Sequence, residues 1–307
     1  MPELDDIRTF VEVVELGGLS RAATRLGVSK SMVSRRLARL ETELGARLLS
    51  RNTRGISPTE AGLDYKQRCE RILADIEEAG EAAAQHSGEV AGRLRVAAPL
   101  SFGINHVAPL LAEIAARHPR LVVEASYSDR FVDLIADRFD IAVRLGTLRD
   151  STLVARRIAP VRSVAVASPG YLAAKGRPLV PEDLGRHECL VYQRPSERDQ
   201  WRFQNGRQTV TVYPQGRFRA DNGEALLEAA IAGLGIAMLP TFLASRAIQA
   251  GAVVPLLTDF PTPEAGLHVV WPPGRHVPGK VRLLIDLMVE RFGGEPFWDP
   301  CAMAQRR

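Results

Sequence analysis

The segment from residue 20 to residue 62 limits what this chain can fold into more than any other part of it. Nine of its residues are Lys or Arg and three are Glu, so it carries a formal net charge of +6. Its apolar residues recur with the spacing of two short amphipathic helices joined by a tight turn. A compact, basic pair of helices of this kind is typical of proteins that read DNA.

The helix boundaries within this segment are marked by local signals. The pattern predicts a first helix over residues 20–26 and a turn at 27–28. Ser29 is predicted to cap a second helix, and Gly45 to end it, because these residue types satisfy the free backbone groups at helix ends. Steps of four, three and four residues predict a buried stripe on the second helix, made of Val33, Leu37, Leu40 and Leu44.

The opposite side of the second helix carries small and hydrogen-bonding side chains, which allow a helix to enter a major groove. There Arg35 is predicted to bind a guanine with both ends of its guanidinium group. The predicted DNA-contacting residues of this helix are Lys30, Ser31, Ser34, Arg35 and Arg36.

Residues on either side of the two helices complete the predicted module. A preceding helix is expected to pack against them through Leu4, Ile7, Phe10, Val11 and Val14. After Gly45, a short apolar run is followed by Arg51 and Arg54, which predicts a wing that meets phosphates or the minor groove. The alternative for these two arginines is a solvated surface loop.

Composition and charge agree with a globular protein that has one basic region. The 307 residues are 46% apolar and 25% charged, and the net charge is only +4. The first residues, MPELDDIRTF, include no apolar signal region, and no run of about 18 apolar residues occurs. We therefore expect a cytoplasmic protein.

Motifs for metal binding or catalysis are missing from the sequence. Cys69, Cys189 and Cys301 are far apart and form no CxxC pair, which argues against a disulfide or a zinc site. The sequence contains no HExxH, GxSxG, GxxxxGK[ST] or GxGxxG motif. We predict no catalytic residues, no metal, no cofactor and no enzymatic activity.

A long helix is predicted to start after Thr59 and to run to about residue 87. It carries a stripe with alternating steps of four and three residues, which is the pattern of a coiled coil that joins two subunits. The alternative is a helix that lies on its own domain. The stripe comprises Tyr65, Cys69, Ile72, Ile76, Ala79 and Ala83.

Residues 93–307 alternate predicted strands and helices with short connections, which indicates a parallel α/β pattern. A helix is predicted at 131–138 between two of the strands. Two lobes connected by a chain that crosses twice would form a cleft, and ligands of such sheets bind outside the carboxyl ends of the strands.

The stretch AATRLGVSKSMVSRRLARLETELGARLLSRNTRGISPTEAG resembles the LysR-type transcriptional regulators. The later stretches SYSDRFVDLIADRFDIAVRLG and GEALLEAAIAGLGIAMLP resemble the CrgA-like branch of that family. The resemblance covers nearly the whole chain. It implies an all-α winged helix-turn-helix domain with a linker helix, followed by a two-lobed α/β effector domain with the periplasmic-binding-protein type II fold.

The resemblance also implies domain bounds. A DNA-binding domain would span 1–58, a dimerising linker helix 59–87 and an effector domain 88–307. Lobe I of the effector domain would comprise about 88–161 and 266–292, and lobe II about 162–265.

The function implied is that of a sequence-specific transcriptional regulator, a homodimer or homotetramer on a roughly palindromic operator. Its effector would be a small polar metabolite, and the 27 basic against 22 acidic residues after residue 87 tilt the expectation toward an anion. The alternative is a small-molecule-binding protein or enzyme of the solute-binding fold with a vestigial DNA module. For Ser101, helix capping is an alternative to ligand contact. The effector-binding residues implied are Leu100, Ser101, Phe102, Ser128, Asp129, Asp221, Asn222, Pro240 and Thr241.

Overall fold

The computed structural model describes residues 1–52, 55–85, 90–148, 150–193, 200–274 and 277–299. At 51, 52, 55, 74, 75, 77–79 and 81–85 it describes the backbone only. The chain divides into two compact units, Met1–Gly88 and Glu89–Arg307. Among the described residues, no helix combines the length and apolar character needed to cross a bilayer.

The first unit packs three short helices, a two-stranded hairpin and the first part of a long helix around one apolar core. Phe10, Val33 and Leu40 are each fully buried there, because all three helices turn their apolar stripes inward. The elements are α1 (Leu4–Leu16), α2 (Leu19–Leu26), α3 (Lys30–Leu44), β1 (Leu49–Asn52), β2 (Gly55–Pro58) and α4 (Glu60–Gln85).

The inner face of α1 differs from the predicted one. Leu4, which was expected to pack inward, is 39% exposed, whereas Asp6 and Thr9 are 0% exposed. Asp6 is buried because Arg39 of α3 donates hydrogen bonds of 2.5 Å and 2.7 Å to its two carboxylate oxygens. Apolar periodicity cannot anticipate a buried carboxylate, since its burial depends on a partner on another helix.

The predicted stripe on α4 divides into two parts. Tyr65 and Cys69 pack into the core of the first unit, and the Tyr65 ring lies 5.7 Å from that of Phe10. The prediction that these two residues belong to an intersubunit seam was therefore wrong, and for them the helix lies on its own domain. Ile72 and Ile76, further along the same stripe, are 48% and 44% exposed. The side chains of Ala79 and Ala83 lie outside the described residues.

The second unit is built on two five-stranded sheets. The first has the strand order β4-β3-β5-β14-β6 and the second has the order β11-β8-β12-β7-β13. We call the first sheet with α5, α6 and α10 lobe I, and the second sheet with α7, α8 and α9 lobe II. The elements are β3 (Gly92–Ala98), α5 (Leu100–Phe102), a π-helical turn (Gly103–Val107), α6 (Ala108–Arg117), β4 (Leu121–Tyr127), β5 (Ile141–Gly146), β6 (Val154–Val161), β7 (Ser163–Ala167), α7 (Pro169–Lys175), a 3₁₀ turn (Pro181–Arg186), β8 (Cys189–Tyr192), β9 (Trp201–Asn205), β10 (Gln208–Val212), β11 (Arg219–Ala220), α8 (Gly223–Ile231), β12 (Ile236–Pro240), α9 (Thr241–Gln249), β13 (Val254–Leu256), β14 (Ala265–Trp271) and α10 (Gly279–Phe292).

Both sheets are mixed rather than parallel, which corrects the predicted pattern. In lobe I, β3 pairs in parallel with β4 and β5, whereas β14 is antiparallel to both β5 and β6. The antiparallel strand is the one that returns to lobe I after the chain has passed through lobe II. Two crossings therefore join the lobes, one between β6 and β7 and one between β13 and β14.

The helix predicted at 131–138 does not form. Asp133 accepts backbone N–H groups from Ile135 and Ala136, at 3.0 Å and 3.1 Å, and so closes a single turn. Arg138 then adopts a left-handed conformation with φ +58°. Only Leu134 of this segment is fully buried and only Val132 packs beside it, so there is too little apolar contact to stabilise further turns.

Candidate nucleic-acid interface and ligand cleft

The bounds of α3 and the turn before it match those predicted from the sequence. The side chain of Ser29 accepts the N–H of Met32 at 3.2 Å, and Gly45 ends the helix with φ +62°, so both predicted boundaries are confirmed. The turn before the helix contains Gly27 with φ +66°, a conformation that favours glycine. Val33, Leu37 and Leu40 are buried as predicted.

The outward face of α3 presents Lys30, Ser31, Arg35 and Ala38, which are exposed, beside the half-buried Ser34. The side chains of Lys30 and Arg35 make no hydrogen bond or ion pair with another described residue. Their donors are therefore available for phosphate or base edges. Ser31 is less free, because its hydroxyl lies 2.9 Å from that of Ser29.

Arg36, in contrast, is half-buried and bound within the protein, and its contact with DNA stays a prediction. One end of its guanidinium donates to the carboxylate of Asp5 at 2.6 Å and the other to the hydroxyl of Thr9 at 3.3 Å. Arg36 thus ties α3 to α1, and two of the five donors of its guanidinium are directed away from the groove. The sequence spacing alone did not separate Arg35 from Arg36, since their difference depends on where α1 packs.

The predicted wing is an antiparallel hairpin in which Arg51 is paired in register with Ile56. Glu41 of α3 fixes its base by accepting the N–H groups of Leu48 and Leu49, at 2.7 Å and 3.0 Å. The side chain of Arg51 is not described, and Arg54 lies outside the described residues.

In the second unit, two of the residues predicted to line an effector cleft are in contact across the lobes. The side-chain amide of Asn222, in lobe II, donates to the hydroxyl of Ser101, in lobe I, at 3.5 Å. Asn222 also caps α8, since its oxygen accepts the N–H groups of Glu224 and Ala225. Ser101 is 8% exposed and lies in the first turn of α5.

A second contact between the lobes was not predicted. Asn105 of the π-helical turn donates to the carboxylate of Glu224 at 3.1 Å. Its amide also donates to the backbone oxygen of Ser101 at 3.0 Å. No local sequence signal identifies this pair, because 119 residues separate its members.

The backbone at the start of α5 is already capped by the protein. Asp129 accepts the N–H of Leu100 at 3.0 Å, so the cap is Asp129 rather than Ser101, the alternative considered from the sequence. The hydroxyl of Ser128 accepts the N–H of Arg130 at 3.2 Å and stabilises the same turn. An anion directed at the amides of α5 would meet the Asp129 carboxylate there.

Phe102 is a core residue rather than a cleft residue, which corrects its predicted role. It is 0% exposed, and its ring lies 5.1 Å from that of Phe242 and 5.8 Å from that of Trp298. His106 packs onto the same cluster, 4.8 Å from Phe102. Burial, together with the charge of Arg246, lowers the pKa of His106 to about 4, so its ring is neutral at neutral pH.

The lobe II residues predicted around the cleft differ in accessibility. Asp221 is exposed and Pro240 is half-buried. Thr241 is 1% exposed, and its hydroxyl donates to Asp299 at 2.5 Å. Thr241 thus has its hydrogen bond within the protein, so its predicted role as an effector contact is corrected to a structural one.

The described residues contain no cluster of three or more His, Cys, Asp or Glu placed to hold a metal ion. Cys69 and Cys189 are buried, and burial raises the pKa of the Cys189 thiol to about 11. A thiol with a raised pKa is a poor nucleophile and a poor redox sensor.

Two family models together account for most of the chain. Residues 4–63 match the bacterial regulatory helix-turn-helix protein of the lysR family, and residues 87–293 match the LysR substrate binding domain. The chain therefore belongs to the LysR family of bacterial transcriptional regulators. It combines a helix-turn-helix that binds DNA with a domain that binds a small-molecule effector.

Curated relatives span nearly the same length. The transcriptional regulator PtxR of Pseudomonas aeruginosa is 37% identical over 96% of this chain and 94% of its own. The regulator CrgA of Neisseria meningitidis is 35% identical over 94% of this chain and 97% of its own. These relatives confirm the predicted resemblance to the CrgA-like branch.

Solved structures of full-length regulators have the same fold. The structure of CrgA from Neisseria meningitidis matches with a TM-score of 0.61 and 34% identity, over 94% of this chain and 99% of that chain. The virulence activator AphB of Vibrio cholerae matches with a TM-score of 0.60 and 28% identity, over 94% and 99% respectively. The winged helix-turn-helix followed by a two-lobed effector domain is thus confirmed as the fold class.

Proposed function

We propose that the DNA-reading surface of this regulator is the outward face of α3, with Arg35 as its main base-reading residue. The observation that carries this proposal is the contrast between Arg35, which is exposed and bound by no described residue, and Arg36, which is held by Asp5 and Thr9. Lys30, Ser31 and Ser34 would contact neighbouring bases or phosphates. Arg51 and Arg54 would contact the backbone of the duplex from the wing.

Comparing these two arginines tests the proposal. Arg35→Ala should weaken operator binding by about 1 to 3 kcal/mol and relax the preference at one base position. The free energy of unfolding should not change, because the Arg35 side chain is exposed. Arg36→Ala should lower the stability of the first unit and keep the base preference of the protein that remains folded. Fluorescence anisotropy with an operator and its single-base variants, at two salt concentrations, measures both effects.

Equal losses on every duplex for Arg35→Ala would show that Arg35 contacts only the phosphate backbone. A relaxed base preference for Arg36→Ala would show that Arg36 leaves Asp5 on binding and reads DNA itself.

The assembly proposed is a homodimer or homotetramer on a roughly palindromic operator, because one recognition helix covers few base pairs. We assign the DNA-binding role to residues 1–58, the dimerising role to the linker at 59–87 and the effector-binding role to 88–307. We further propose that the protein acts in the cytoplasm and catalyses no reaction.

The effector is proposed to bind between the lobes as a small polar molecule, with Ser101 and Asn222 as its central contacts. Their direct contact supports this site, because the hydrogen bond between them is long, at 3.5 Å. A ligand with a hydroxyl or amide group could replace it by one shorter hydrogen bond to each residue. Leu100, Ser128, Asp221 and Pro240 would complete the rim. An anionic effector would have to displace the Asp129 carboxylate from the N–H of Leu100, so the charge of the effector is a separate test.

A thermal-shift screen of carboxylates, amides and polyols against the full-length protein would identify candidate effectors. Ser101→Ala should weaken binding of a hit by about 1 to 2 kcal/mol through a lost hydrogen bond. Ser126→Ala, at an exposed position on β4, is the matched control and should change nothing. A hit that binds Ser101→Ala as tightly as the unmodified protein would place the site elsewhere.

A further inference from the structure

The segment that follows α10, residues 293–299, packs where the two lobes join. Trp298 and Asp299 are each 3% exposed, although they lie near the end of the chain. Burying a carboxylate is costly unless the charge is paired. Ionic partners account for the burial of Asp299 and aromatic neighbours for that of Trp298, whose indole N–H has no hydrogen-bond partner among the described residues.

The ionic contacts of the segment converge on Arg162. This residue lies between β6 and β7, at the first crossing of the chain from lobe I to lobe II. Its guanidinium pairs with Asp299 and, at 2.8 Å, with Glu295. It also pairs at 3.3 Å with Glu264, which directly precedes β14 at the second crossing.

Asp299 extends the connection into lobe II. Its carboxylate accepts the hydroxyl of Thr241, the first residue of α9, at 2.5 Å. The backbone N–H of Thr241 in turn donates to the carbonyl oxygen of Arg162 at 2.9 Å. One carboxylate therefore binds both the first crossing and the start of a lobe II helix.

The apolar contacts of the segment also span both lobes. The ring of Trp298 lies 5.8 Å from Phe102 and 5.7 Å from Phe292, both in lobe I. It also lies 6.3 Å from the ring of Phe242 of α9, in lobe II. Tilted and edge-on aromatic contacts at these distances are favourable and hold the rings in a defined arrangement.

We propose that residues 293–299 form a hinge clasp, a segment that restrains the angle between the lobes by binding Arg162 at the first crossing, which in turn pairs with Glu264 at the second, and by binding the start of α9. The clasp is continuous with α10 of lobe I, so a rotation of lobe II about the crossings has to break its contacts with Arg162 or Thr241. Any closure of the lobes that rotates lobe II about the crossings would therefore cost the free energy of these contacts. Their strength would set how far the lobes close when an effector binds.

The test is amide hydrogen exchange of the full-length protein, read by mass spectrometry. Asp299→Asn keeps the shape of the side chain and an acceptor for Thr241 but removes the charge that Arg162 binds. We expect exchange at the amide of Thr241 and at residues 262–266 to become about tenfold faster. A hydrogen bond to a charged group lowers the population of the locally opened state by roughly that factor or more, and the variant loses this effect. Amides of α6, such as that of Ile114, should keep their rates.

Two controls separate the clasp from a general loss of stability. Glu290→Gln removes an exposed carboxylate of α10 and should leave every rate unchanged. Deleting residues 300–307 keeps the clasp and should also have no effect at the hinge, whereas deleting 293–307 should accelerate exchange there. If the longer deletion prevents folding, Asp299→Asn still decides the question.

Hinge amides of Asp299→Asn that exchange within about twofold of the unmodified rate would overturn the proposal, as would an equal acceleration throughout both lobes. The measurement needs neither operator nor effector. Its failure would therefore leave the proposed function intact.

Discussion

The exposed apolar residues of the α4 stripe predict that a substitution at Ile76 weakens dimerisation of this regulator. Ile76 is 44% exposed in the single chain. Full burial of an Ile side chain is worth about 1.5 to 3 kcal/mol, so burying the remaining exposed part in a subunit interface would contribute about 1 kcal/mol per copy. A symmetric dimer contains the residue twice.

Ile76→Ala should therefore weaken dimerisation by about 2 kcal/mol, or roughly 30-fold in dissociation constant, without destabilising the first unit. Ile76→Asp should have a larger effect, by several kcal/mol, because it would bury an unpaired charge in the interface. Operator affinity should fall together with assembly, since a single recognition helix makes few contacts.

Sedimentation velocity over a range of protein concentrations measures the assembly, and fluorescence anisotropy measures operator binding. Leu63→Asp is the matched control, because Leu63 is 55% exposed on the opposite side of the same helix. The reasoning would be refuted if Ile76→Asp sedimented and bound DNA like the unmodified protein. Disruption by Leu63→Asp alone would place the interface on the other face of α4.

Three further outcomes follow from close packing and burial. Gly62→Ala should lower the midpoint of thermal unfolding of the first unit, because its new Cβ would lie 2.1 Å from the carbonyl oxygen of Leu48; Gly80→Ala, on the same helix with nothing nearby, should raise or preserve it. Cys189 should resist iodoacetamide at pH 8 in the folded protein and react once urea unfolds it, as peptide mass spectrometry would show, since its thiol pKa is raised to about 11. The folded pKa of His106 is lowered to about 4, below its unfolded value of about 6.5, so the unfolded chain binds more protons between these values and stability should fall as the pH drops through that window. His106→Phe should flatten the pH dependence of the urea midpoint between pH 7 and pH 5; an unchanged slope would show that other groups cause it.

The sequence by itself determined the local structure of the DNA-binding module. Ser29 and Gly45 bound α3 as predicted, because capping depends on side chains and backbone angles within a few residues. The stripe Val33, Leu37 and Leu40 was equally readable, since a helix repeats every 3.6 residues. Family resemblance then extended these local signals to the fold of the whole chain.

Tertiary structure decided which of two adjacent arginines is bound within the protein and which stays exposed. Arg35 and Arg36 are equivalent in sequence, but only Arg36 lies within reach of Asp5 on α1. In the same way, helical periodicity placed Tyr65 and Ile76 on one stripe of α4. Only Tyr65 packs against the core of the first unit, whereas Ile76 is exposed.

The cleft and the hinge depended on tertiary structure most strongly. Ser101 meets Asn222 across 121 residues of sequence, and Thr241 meets Asp299 across 58. Such pairs leave no periodic or local trace, because the chain brings them together only after both sheets have formed and the return strand has crossed between the lobes. The family resemblance therefore pointed to Asn222 and Ser101 but not to their contact, and only the folded chain brought Asn222 to Ser101 and Asp299 to Thr241.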